Sequence, residues 1–138
     1  MATIKSKKKP KINPEFGLFK SEFGHLEYGI VTSQRDVDNL LAVHPNRTDP
    51  TFLQQAPPDG AVTVHDGDMS IIHMDIADSL TRGKDVCLGL LVHECWHICE
   101  RIFRLMGEDR PSSEFTAYTL QAVFQGITAE LRQRGFKI

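Results

Sequence analysis

Residues 85–106 read DVCLGLLVHECWHICERIFRLM, and their period is helical. Leu90, Leu91, Val92, Cys95, Trp96, Ile98 and Phe103 make the stretch apolar over most of a helical circumference. The exceptions form one polar stripe: His93, His97, Glu100 and Arg104. This spacing predicts a long buried helix, and Gly107 is a natural stop for it.

The neighbouring segments build a domain around that helix. Downstream, Glu108-Asp109-Arg110-Pro111 is connection chemistry, and a second helix runs from near Pro111–Ser113 to about Arg134. Its apolar positions Ala117, Leu120, Phe124, Ile127 and Leu131 recur at alternating spacings of three and four. A short link between two long helices predicts an antiparallel pair. Upstream, Ala61-Val62-Thr63-Val64-His65 and Ser70–Ile76 read as strands. Asp66-Gly67-Asp68 lies between them and predicts a hairpin with a loop somewhat longer than two residues. Asp36–Val43 reads as a short helix, and residues 15–60 otherwise give a mixed pattern. His44–Pro50 and Pro57–Gly60 read as loops. The expectation is an α+β fold, a short β-hairpin or sheet packed beside two long antiparallel helices. Residues 1–14 read as a basic flexible tail and 15–138 as a single domain.

Composition limits the function. The 138 residues, 41% hydrophobic and 25% charged, exclude a wholly disordered chain and suit one ordinary core. No apolar run approaches the roughly 20 residues of a membrane span, so no membrane partner is expected. Residues 1–20 carry six Lys and one Glu, whereas the rest carries ten Lys or Arg against seventeen Asp or Glu. The acidic body argues against nucleic-acid binding, leaving the Lys-rich N-terminal tail as its one route. The N-terminus lacks the apolar stretch of a secretory signal, which predicts an intracellular protein. The three cysteines, Cys87, Cys95 and Cys99, are an odd number and do not suggest a disulfide framework.

His93-Glu94-Cys95-Trp96-His97 is an H-E-x-x-H pattern. Two histidines four apart share a helical face and can converge on one Zn²⁺. Glu94 lies about 100° around the helix from His93, in reach of a water that attacks a carbonyl. Cys95 and Cys99 point away from the histidine face and read as small buried hydrophobes. Glu100 can pair with Arg104 or orient a ligand from behind. A catalytic zinc needs a third protein ligand. Glu114 opens a second stripe, with Tyr118, Gln121 and Gln125, that an antiparallel pair can turn toward the histidines. Against this, Glu114 lies about four residues nearer the turn than His97, roughly 6 Å, and a first-turn glutamate is also what the helix dipole favours. His65 and His73, in the hairpin, can face the cleft or the surface. A structural zinc site closed by a fourth protein ligand would draw on one of them.

Residues 91–97 (LVHECWH), with 107–118 (GEDRPSSEFTAY) and Gln121, resemble a group of small phage- and prophage-encoded zincin-like proteins of the gluzincin type. These carry H-E-x-x-H on one helix and E-x-x-A-Y on the next. The resemblance covers residues 60–134. It implies a zinc metallopeptidase with His93, His97 and Glu114 as ligands and Glu94 as general base. Tyr118 is then either an oxyanion stabiliser or an aromatic packed on the first helix. The implied partners are a protein or peptide substrate, in the cytoplasm of a bacterial host. The alternative from another class is a non-catalytic, zinc-stabilised protein of phage assembly, partnered by phage structural proteins and associated with the virion.

Overall fold

A computed structural model describes residues 18–44 and 60–138. The basic stretch 1–14 and most of the two loop readings lie outside the described residues. The elements are β1 (Phe19–Lys20), β2 (Glu27–Val31), α1 (Gln34–Val43), β3 (Ala61–Asp66), β4 (Met69–Met74), α2 (Ile76–Thr81), α3 (Lys84–Met106) and α4 (Ser113–Gln133). The chain is α+β, as the sequence pattern predicts.

Among the described residues the strands form one sheet in the order β1-β2-β4-β3. β2 pairs with β4 in parallel, and the other pairings are antiparallel. The hairpin loop is tighter than its composition suggests. Asp66 still pairs with Met69, so only Gly67 and Asp68 remain outside the ladder. Gly67 supplies the positive φ, 61°, that such a loop needs. Ile76 belongs to a helix, since the Asp75 side chain caps α2 by accepting from the Asp78 N–H at 2.9 Å.

Side chains alternate across the sheet, and each face has its own core. Tyr28, Ile30, Ile72 and Met74 point into the larger core with α3 and α4, around Leu91, Cys95, Ile98, Ile102 and Ile127. Val31, Met69 and Ile71 point the other way, onto Val37 and Leu40 of α1. The helices begin and end where local chemistry dictates. Ser33 and Ser112 cap α1 and α4 by accepting from the N–H three residues on. Gly107, at φ 72°, ends α3 in a left-handed residue. The Glu108 N–H donates to Phe103 O and the Gly107 N–H to Arg104 O, satisfying carbonyls that the last turn would otherwise leave open. α4 then returns along α3. Phe115 packs on Phe103 with ring centroids 5.6 Å apart, and Gly126 sits against the Tyr28 hydroxyl and the Phe19 ring. No helix among the described residues is long and apolar enough to cross a membrane.

Candidate metal centre

α3 meets the edge strand β3 at two points. The Thr63 hydroxyl donates to Glu94 Oε1 at 2.7 Å and also lies 3.2 Å from the Glu94 carbonyl oxygen. About two turns on, Arg101 Nη2 donates to the Gly67 carbonyl, in the hairpin turn, at 2.7 Å. His93, just before the first tie, and His97, between the two, emerge toward solvent.

Their geometry is specific. His93 Nε2 and His97 Nε2 lie 3.3 Å apart, within reach of an N–H···N hydrogen bond between the rings. Two ligands of a tetrahedral zinc, each at about 2.0–2.1 Å, are separated by about 3.3–3.4 Å. The ring centroids are 5.0 Å apart with planes at 78°, an edge-on arrangement rather than a stack. His97 Nδ1 lies 3.1 Å from Glu100 Oε1. A carboxylate only accepts, so Nδ1 carries a proton, and in the neutral ring Nε2 then keeps the lone pair that a metal requires. A carboxylate behind a histidine is also the usual outer partner of a zinc ligand. Glu100 therefore backs His97 rather than joining the face as a ligand.

Two expectations change. The helix is not buried around most of its circumference. His93, Glu100 and Arg104 are exposed, as are Val92 and Trp96 on the neighbouring flank, because α4 covers only the side carrying Cys99, Ile102 and Phe103. The pair thus owes its interest to convergence, not to burial that demands a partner. The buried polar member is instead Glu94, 5% exposed and held by Thr63. Cys87, Cys95 and Cys99 are free thiols in the core, which for Cys95 and Cys99 is what their position on the helix predicts. Burial pushes the Cys95 and Cys99 thiols and the Tyr28 phenol up to about 12. They are inert fillers, not ligands or nucleophiles.

The structure does not bring Glu114 to the histidines. Among the described residues no three His, Cys, Asp or Glu side chains are grouped to hold a metal. The reason is where α4 begins and how it is turned. Its first turn packs at Phe103, six residues beyond His97, or about 9 Å along α3. Glu114 precedes the buried Ile127 by thirteen positions, which puts it about 140° around α4 from the core. Glu114, Tyr118, Gln121 and Gln125 all lie on the exposed side. Tyr118, 63% exposed, borders a groove of about 660 Å³ with Phe23, Phe115 and Gln121, and neither His93, Glu94 nor His97 lines that groove.

The sheet register separates the hairpin histidines. His73 shares the face of Met69 and Ile71, toward α1. His65 shares the face of Thr63, toward α3, and its Nδ1 lies 2.6 Å from the Oγ of buried Ser70. The inner side of its ring is shut off from water, which lowers its pKa, and the charges of Arg101, His97 and Arg104 act in the same direction. Thr63 and Ser70 are the site residues that sequence reasoning missed. Only strand alternation opposite the H-E-x-x-H helix could have suggested them. No family model, curated protein or solved structure matches this chain.

Proposed function

We propose that the chain is a zinc-dependent metallopeptidase of the zincin type, as its resemblance implies. The observation that carries this reading is the 3.3 Å approach of two Nε2 atoms, with a carboxylate fixing the tautomer of one. His93 and His97 would hold the metal. Bound Zn²⁺ would supply Lewis acidity toward a scissile carbonyl. Glu114 is left out of the proposed set because α4 turns it away.

The remaining chemistry belongs to the chain. Thr63 donates to Glu94 Oε1, which fixes the carboxylate and leaves Oε2 as the proton acceptor. Glu94 takes a proton from the attacking water and returns it to the departing amine. β3 lies at the end of the strand order, with no strand on its outer edge among the described residues. An extended peptide can add there by main-chain hydrogen bonds, beside the histidines. The same reading gives a protein or peptide substrate in the cytoplasm of a bacterial host.

The burial of Glu94 favours a second reading, in which the carboxylate is a strut between α3 and β3. The protein is then a zinc-stabilised component of phage assembly. Glu94→Gln separates the two. Peptidase chemistry predicts full zinc content with hydrolysis of a casein or peptide-library substrate reduced by about 10²–10⁴-fold. The assembly reading predicts no hydrolysis by either protein.

A further inference from the structure

We propose that His65, from the edge strand, is the third protein ligand of the metal held by His93 and His97. The inference rests on the zinc reading above and replaces the glutamate of the second helix with a histidine of the sheet. Three observations carry it.

The first is level. Thr63 is tied to Glu94 and Gly67 to Arg101. The end of β3 and the turn that follows it thus run alongside α3 from Glu94 toward Arg101, in the same direction. His65 lies between the two ties on one side, as His97 and Ile98 do on the other. The second is face. His65 is two residues from Thr63, so both side chains lie on the side of the sheet that meets α3. His73 lies on the opposite side with Met69 and Ile71, and Glu114 lies on the far side of α4. The third is the ring nitrogen. Ser70 Oγ, fully buried on β4, holds His65 Nδ1 at 2.6 Å. The Ser70 hydroxyl can accept from Nδ1–H, and in that tautomer Nε2 keeps its lone pair, as it does in neutral His97 with Nδ1–H donated to Glu100. Among the described residues the three imidazoles do not already form a metal-holding group, so the exposed His65 ring must turn toward the pair. That would give three histidines and an open fourth position, a donor set suited to catalytic zinc.

The test is Zn²⁺ affinity of the full chain, by competition with a chromogenic chelator, for wild type, His65→Ala, Glu114→Gln and His93→Ala. His65→Ala should weaken binding by more than the roughly 100-fold upper end of what loss of an outer partner costs. Glu114→Gln should stay within about twofold of wild type, as expected of an exposed residue outside the site. Nitrogen-15 NMR of the histidine rings of the unaltered protein gives a readout independent of any variant's folding. Zn²⁺ should move three imidazole Nε2 signals to metal-bound positions. Two shifted imidazoles, with His65→Ala at wild-type affinity and His93→Ala weakened, would overturn the inference and leave the zinc reading standing. No Zn²⁺ binding by the wild type would overturn the zinc reading and the inference with it.

Discussion

α3 and α4 each carry a polar stripe at helical spacing, and the two stripes have different surroundings. On α3, His93, His97 and Glu100 stand beside an edge strand that is tied to the helix at Glu94 and Arg101. On α4, Glu114, Tyr118, Gln121 and Gln125 are exposed, and the last three border an open groove. Periodicity says which residues share a face. It does not say what that face meets, because this depends on the rotation of each helix about its own axis. That rotation is set by the largest apolar side chains. On α4, Val123, Ile127 and Leu131 turn the core side inward and carry Glu114 to the opposite side.

Several substitutions test this contrast. The largest effect is expected for Glu94→Gln, with hydrolysis down by about 10²–10⁴-fold and zinc content unchanged, read by peptidase assay beside elemental analysis. Equal turnover in the variant would remove Glu94 from the chemistry. Next is the buried side of α3. Ile98→Ala, at a site with no exposure, should cost about 2–5 kcal/mol in urea unfolding.

The same buried side should make the fold sensitive to alkali. Cys95, Cys99 and Tyr28 are protonated in the fold up to about pH 12, whereas their unfolded counterparts ionise near their ordinary values, about 9 for a thiol and 10 for tyrosine. Their raised folded-state values mean that stability is complete below about pH 9. It falls as pH rises toward 12, because the unfolded chain then holds fewer protons. Circular dichroism across that window should show the loss, and Cys95→Ala with Cys99→Ala should soften the decline.

Smaller effects mark the rim of the site. Glu100→Ala should weaken Zn²⁺ binding by about 10–100-fold without changing the unfolding midpoint, since it acts on His97 from behind. Tyr118→Ala, on the exposed stripe, should change stability by no more than about 0.5 kcal/mol and leave metal binding intact. A large loss of metal in Tyr118→Ala would mean that the two stripes communicate.

Much of the fold was legible, for identifiable reasons. α3 and α4 carry sustained local periodicity and end in local chemistry, Gly107 after one and Ser112 before the other. The histidine pair was legible because an i, i+4 relation lies within a single helix. β2 was not, since Glu27-Tyr28-Gly29-Ile30-Val31 gives no hairpin signal. It pairs in parallel with β4, forty-two residues further on. The supports of the site were illegible for the same reason. Thr63, Ser70 and the orientation of His65 depend on a strand register and on how the sheet lies against α3. Glu114 was misplaced because sequence spacing carries no information on the azimuth of α4.

The central claim is that the two Nε2 atoms 3.3 Å apart on α3 form the heart of a metal site. Its most direct test is the zinc content of the purified full chain by elemental mass spectrometry, beside a His93→Ala/His97→Ala double variant. The account predicts about one zinc per wild-type chain and none in the double variant, with both folded by circular dichroism. No zinc in the wild type after zinc is added back, or equal zinc in both proteins, would contradict it.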